Sequence, residues 1–309
     1  MEYGQQVVVL DASLPHSATQ VSAGLINPFI GPKLNIPQDF SSCMEQNHIF
    51  FEKIEKQTGQ SFLEAIKLYR VFQSVDQQKT WNKLPQNYRT GLLSQLECLE
   101  LNIDASFGAG VTASWKLNAI KFIKYSREIL SSQGNYFTVF FDPDQWKGHR
   151  VVFCDGFRAI QNNWFNDMPF TPAKGEVLEV ESPYKLNTSN GKWHLTTNRK
   201  GCARIGSTWD HVEIESGPTN SAKEKILSEL NFFPNLKNNK IISHKSGVRS
   251  ATKDRQPILG AHPQIENCYI FNGFGSRGCT TISLCAKELS NFMLFGKKLP
   301  KQKDLQRFL

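Results

Sequence analysis

Apolar positions along the chain follow two kinds of pattern, and the two are segregated. Residues 7–10 form a continuous apolar run ending at Asp11, the mark of a strand buried on both faces of a parallel sheet. A polar stretch with glycine and proline and no apolar period covers residues 13–37. Beyond it the pattern predicts a helix over about 38–56 and a strand near 65–72. From Val111 a short strand leads into a helix, with Leu117, Ile120, Ile123 and Leu130 near helical spacing. Strands are predicted again at 136–140 and 151–154. The middle of the chain differs: residues 176–181 alternate, and 193–197 and 202–205 are further strand candidates. Together these predict antiparallel sheet with one wet face. One helix interrupts it, with Ser221 and Glu224 at capping-box spacing and Ala222, Ile226 and Leu230 repeating every four residues. After Lys240 apolar strands return, including 269–271, and a last helix is predicted over 278–294.

This α/β material bracketing an antiparallel insert predicts two discontinuous domains. One comprises 1–37, 105–165 and 241–309; the other comprises 38–104 and 166–240. At 309 residues there is length for both. Apolar residues at 39% and charged residues at 21% exclude a disordered chain. No apolar run reaches about 18 residues, so no membrane span is expected, and the first residues lack the order of a secretory leader. Cysteines at 43, 98, 154, 202, 268, 279 and 285 form no CxxC pair, which points to reduced thiols and a cytoplasmic protein. Cys154 and Cys279 are read as small buried thiols. The seven histidines share no ligand spacing, so no metal site is expected. The formal charge of +8 is diffuse, its densest cluster being the tail with Lys297, Lys298, Lys301, Lys303 and Arg307. A solvated tail accounts for that cluster without a nucleic-acid partner.

Three segments carry candidate chemistry. Gly273, Gly275 and Gly278 form GxGxxG between a strand and a helix. Too little chain follows for a dinucleotide-binding βαβ unit. Two readings remain: a helix N-terminus presented to an anion or carbonyl, or a glycine-rich tight turn. Asp11 ends a strand where a ribose-binding acid sits in Rossmann units, yet no glycine loop precedes it. Arg249 lies between an apolar strand and a loop ending at Pro257; a lone arginine there reads either as a surface or ion-pair residue or as a fixed planar fork suited to a carboxylate.

Taken in order, these segments resemble the DAO family of flavoproteins, the D-amino-acid oxidase and glycine oxidase group. Residues 7–11 resemble its ribose-binding strand and 18–24 (ATQVSAG) its small-residue loop along FAD. Residues 110–115 resemble the segment before a family helix, and 151–156 the strand and turn against the cofactor. Residues 172–176 (PAKGE), 203–210 (ARIGSTWD), 247–260 and 272–278 complete the set. The resemblance implies a Rossmann-like FAD-binding α/β domain with an inserted antiparallel-sheet α+β substrate domain. It implies Asp11 on the ribose, with Thr19, Ser22, Ala23 and Gly24 along the pyrophosphate and flavin edge. Gly156 would lie against the cofactor, and Gly273, Gly275, Ser276 and Gly278 at the flavin pyrimidine. Arg249 would grip a substrate carboxylate and Arg277 would balance charge on the reduced flavin. The implied activity is oxidation of the C–N bond of a small carboxylate-bearing amine or amino acid, by hydride transfer to flavin. The alternatives are a tRNA-modification amine oxidase, since the family includes the oxidase half of a bacterial wobble-uridine enzyme, and a non-catalytic remnant acting as a binding protein. Three departures stand out: the family's first strand, glycine loop and helix are absent, Cys154-Asp155-Gly156 replaces Ala-Thr-Gly, and Ser250 replaces a proline. The first is explained either by a coding start assigned too far downstream or by a degenerate form that no longer holds FAD tightly.

Overall fold

The computed structural model describes residues 4–101, 103–182, 188–190, 194–199, 201–228, 236 and 239–309. In chain order the elements are β1 (Val9–Leu10), α1 (Ala18–Val21), β2 (Leu25–Ile26), α2 (Phe40–Thr58), β3 (Leu63–Val71), α3 (Val75–Lys83), β4 (Gly91–Leu93), α4 (Gln95–Glu100), β5 (Ala109–Leu117) and α5 (Ala119–Ser132). There follow β6 (Tyr136–Phe137), β7 (Val151–Phe153), β8 (Ala173–Glu181), β9 (Ser189–Asn190), β10 (His194–Arg199), β11 (Cys202–Gly206), α6 (Asn220–Ser228), β12 (Ile241–Arg249), β13 (Ile258–Ala261), β14 (Cys268–Asn272) and α7 (Gly278–Phe295). The helices predicted over 38–56 and 278–294 are α2 and α7. Leu117 closes β5 rather than opening α5, and the strand expected over 136–140 stops at Phe137. Trp193 and Leu230, placed in a strand and a helix from sequence, lie outside the described residues.

Among the described residues a large sheet runs in the order β12-β8-β11-β10-β9-β3-β5-β2, with β4 paired to β5. It is antiparallel except where β3 meets β9. The α/β part is in two pieces. β1 pairs with β6 in parallel, while β7 pairs in parallel with β14, which pairs antiparallel with β13. No described strand joins β1 to β7, the place where the family's glycine-loop strand would lie. Gln5 and Arg150, just before these strands, are linked by a hydrogen bond of 3.3 Å. α2 packs across α7, and the buried Asn47 amide donates to the carbonyls of Cys279 and Thr280 at 3.2 and 3.1 Å.

The expectation of one wet face for residues 176–181 is corrected by β8, which is buried on both faces except at Glu181. Leu178 and Val180 join Leu195, Ala203, Ile205, Ile226 and Leu236 in one core beneath α6. Glu176 and Glu179 are buried because each meets a partner. Glu176 pairs with Lys174 at 3.3 Å and accepts from the Thr219 backbone N–H and hydroxyl at 2.8 and 3.0 Å. Thr219 also explains the shifted start of α6. Its hydroxyl oxygen accepts from the Ala222 N–H at 3.3 Å, so the cap lies two residues before Ser221. Charged residues survive burial when paired and hydrogen-bonded, which a hydropathy pattern does not register.

Leu178 is fully buried at the centre of that core. Leu178→Ala is expected to cost about 2–5 kcal/mol, read from the urea midpoint; a loss below about 1 kcal/mol would mean that this core is not close-packed.

Candidate active site

Side chains alternate across a strand, and directly opposed residues share a face. The register therefore assigns one face of the large sheet. Opposite Arg204 stand Glu179 on β8 and Thr196 on β10; opposite Gly206 stand Val177 and His194. Two steps along β8, Gly175 faces Gly247, and Ala173 faces Arg249. This face thus carries Arg249, Arg204, His194 and Glu179 around three glycines.

Gly175, Gly206 and Gly247 keep the face flat. A Cβ on Gly175 would collide with the Arg249 guanidinium. One on Gly247 would come within 2.9 Å of the Ala18 Cα. Arg249 therefore extends across β8, donating to the Ser207 hydroxyl and, at 3.4 Å, to the Thr208 carbonyl. The Trp209 ring stacks 4.5 Å from its guanidinium carbon. Trp209 is held in turn: its indole N–H donates to His211 Nε2 at 2.7 Å, and His211 Nδ1 meets the Pro172 carbonyl at 2.9 Å. Burial lowers the Arg249 pKa to about 10. No carboxylate among the described residues pairs with it.

Residues 16–24 lie across this face. The Val248 N–H donates to the His16 carbonyl at 2.9 Å, which starts the loop on β12. Arg204 holds its middle, donating to the carbonyls of Val21 and Ser22 at 3.3 and 2.7 Å. Its other nitrogen meets Glu179 at 2.5 Å. Gly24 closes the loop in a left-handed conformation (φ +69°), where a Cβ would run into the Leu117 carbonyl. Ser22 hydrogen-bonds the Cys279 thiol, which burial pushes up to about 11. Thr19, Ser22, Ala23 and Gly24 are thus gathered between the sheet and the start of α7.

The glycine turn before α7 completes the enclosure. The Asn272 amide donates to Asp155 at 3.1 Å and to the Gly156 carbonyl at 2.8 Å, joining the ends of β14 and β7. Gly273 and Gly275 take positive φ, and the Gly275 N–H donates to the Ser250 carbonyl at 2.7 Å. This bond fixes the turn beside Arg249. No side chain caps α7, leaving first-turn N–H groups for an anion or carbonyl. Ser276 lies within the turn, between Gly275 and Arg277. Arg277 is the residue before the helix, 3.9 Å from Asp39; its Nη2 is buried without a hydrogen-bond partner. Asp39 also pairs with the buried Lys303 at 3.2 Å, which binds Glu288 at 3.1 Å.

Asp11 is placed apart from this cluster, and it already has partners. It accepts from Arg127 at 2.6 Å, from the Tyr136 hydroxyl at 2.7 Å and from the Ser13 N–H at 2.8 Å. Burial raises its pKa, but Tyr136, Ser13 and Arg127 outweigh that and hold it below the usual value. Cys154, read as buried, is exposed at the end of β7. Sequence reasoning passed over Arg204, Glu179 and His194. The signal that could have found the first two is the register of 176–181 against 202–206, which puts both charges on one face.

The family model described as FAD dependent oxidoreductase (DAO) matches residues 1–292. The chain belongs to this family. It is 23% identical over 233 residues to the tRNA 5-methylaminomethyl-2-thiouridine biosynthesis bifunctional protein of Leptospira interrogans, covering 62% of this chain and 35% of that protein. It is 22% identical over 132 residues to the glycine oxidase of Pseudomonas aeruginosa, covering 41% of this chain and 36% of that protein. The chain thus spans about a third of the length of these curated relatives. The fold is that of iminodiacetate oxidase from Chelativorans (TM-score 0.79, 16% identity, covering 97% of this chain and 92% of that one). It is also that of glycine oxidase from Bacillus cereus (TM-score 0.78, 18% identity, 96% and 90%).

FAD is the family's cofactor, and the described residues fit its flavin end. Ser250 Oγ and Arg277 Nη2 are buried without hydrogen-bond partners, both beside the uncapped start of α7. For the pyrophosphate no cradle stands between β1 and β7 among the described residues.

The Glu179 carboxyl gives a test of the loop anchor. Burial raises its pKa, but hydrogen bonds from Ser243, Arg204 and Lys245 hold it at about 2, against an ordinary 4.5. A depressed carboxylate contributes stability that is full above its unfolded value and lost as pH falls through the folded one. Glu179→Gln is therefore expected to cost about 3 kcal/mol near neutral pH, with the difference from wild type closing toward about pH 2. A difference that does not change with pH in chemical unfolding would rule out this ionic role.

Proposed function

We propose that the chain forms the substrate side and flavin edge of an FAD-dependent oxidoreductase acting on the C–N bond of a small carboxylate-bearing amine. The observation that carries this reading is Arg249: a partly buried guanidinium on a glycine floor, roofed by Trp209, with no carboxylate among the described residues to neutralise it. An external carboxylate restores charge balance and meets the planar fork in bidentate fashion. Flavin, when bound, supplies the acceptor for the hydride. The chain's own work is alignment and electrostatics. Arg249 fixes the substrate by one end and the glycines let it lie close to the sheet. The loop of 16–24 and the turn of 273–278 are the residues that would hold the flavin ring, with Arg277 and the α7 N-terminus favouring negative charge there.

Arg249→Ala is expected to weaken binding of a small amino acid on the order of 100-fold, the size of a lost charge-assisted hydrogen-bond pair. Arg249→Lys should recover only part, because an ammonium offers no fork. Calorimetric titration with far-UV circular dichroism as a folding control measures both; unchanged affinity in the alanine variant would sink the reading.

A second reading draws on the name of the Leptospira relative and on the charge of +8: the amine is part of a tRNA nucleotide. It predicts tRNA binding that falls steeply with salt. Filter binding across a salt series decides it, and absence of binding at low salt dismisses it.

A further inference from the structure

Beyond Arg249, the sheet face holds a buried polar atom that no described residue engages. His194 stands opposite Gly206, one residue before Ser207, the serine that receives Arg249. Its Nε2 is buried and has no hydrogen-bond partner among the described residues. Leaving a buried polar atom unmatched costs about 1–3 kcal/mol, so its retention at this position calls for a partner that arrives from outside.

We propose that His194 is the hydrogen-bond acceptor for the amine of the substrate whose carboxylate Arg249 binds, and so determines preference for amines over plain acids. The inference rests on the carboxylate reading of Arg249. In an α-amino acid one carbon separates the two groups, and Arg249 and His194 converge on the same end of β11. Gly206, with no side chain, lets the Val177 side chain pack down onto β11 beside them.

The protonation state suits the role. Charged groups from three strands share the face with His194: Arg249 and Lys245 from β12, Arg204 from β11 and Glu179 from β8, the last engaged by both Arg204 and Lys245. Burial first, then the charges of Arg249 and Arg204, lower the imidazole pKa to about 4. A neutral ring offers a lone pair, whereas a protonated one would repel both guanidiniums and could only donate. The ammonium of the substrate is the complementary donor, and its own attraction to the site is otherwise poor beside two cations.

The test compares N-methylglycine with propionate, which has the carboxylate and no amine, by calorimetric titration of the chain. Wild type is expected to prefer N-methylglycine. His194→Phe should cut that preference about 5- to 10-fold and leave propionate binding unchanged, while His194→Gln, which keeps an acceptor oxygen, should retain most of it. An undiminished preference in His194→Phe overturns the role of His194 and leaves Arg249 standing. Failure of wild type to bind either probe overturns both. Imidazole NMR on wild type gives an independent reading that needs no variant. The expected result is titration well below the ordinary 6.5 and a His194 shift change with N-methylglycine but not with propionate. Titration at the ordinary value with no such change would overturn the proposal.

Discussion

The guanidinium of Arg204 joins the two surfaces from which the site is made. One side of it meets Glu179 on the sheet; the other holds two carbonyls of the loop of residues 16–24. Backbone carbonyls in an irregular loop have no ladder partner and need one from elsewhere. A long, planar donor rising from the sheet supplies it without adding a second layer of structure. Glu179 keeps the charge of Arg204 tolerable in a buried place, with Ser243 and Lys245 occupying its second oxygen. Removing one member of such a set leaves its partners buried and unmatched, which costs more than the pair contributes. The spacing between loop and sheet, and with it the room over the glycine floor, follows from this one contact.

How far the sequence led depended on what kind of signal each part left. Strand and helix order was legible, because apolar period and glycine punctuation report directly on burial and backbone geometry. Gly273 and Gly275 are turn glycines with positive φ, and Arg249 does lie beside that turn, held by the Ser250 carbonyl. The parts that escaped depend on pairing across the sheet. Arg204 in a strand and Glu179 in an alternating run look like residues of a wet face until the register sets them opposite one another. Thr219 escaped for a related reason: it caps α6 while also serving Glu176, a residue 43 positions away. The isolation of His194 in sequence hid its position between two arginines, which only the pairing of β10 with β11 creates.

Asp11 marks the limit of a motif carried over by position. It ends β1 as a ribose-binding acid should, yet Arg127, Tyr136 and Ser13 already occupy its oxygens. A carboxylate has about four lone-pair sites, so a sugar hydroxyl could still be accepted, but in competition with a charged partner. The neighbouring split between β1–β6 and β7–β14–β13 places the same limit on the pyrophosphate. The residues that converge do so between the sheet and the start of α7, and each is fixed by contacts within the chain: the loop by Arg204, the turn by Ser250, the ends of β7 and β14 by Asn272.

Charge gives these pieces a common logic. The site gathers Arg249, Arg204 and Arg277, while Glu179 and Asp39 answer only the last two. The surplus sits on Arg249, directly over the glycine floor. In a site shielded from water an unbalanced cation acts over a longer reach than at a surface, and it lowers the basicity of every nitrogen near it. Burial first, and then this effect together with that of Arg204, lowers the His194 pKa to about 4. On the proposed carboxylate reading, the same surplus that makes Arg249 costly in the chain alone is what a bound substrate would cancel, so that the ligand supplies the charge the sheet lacks.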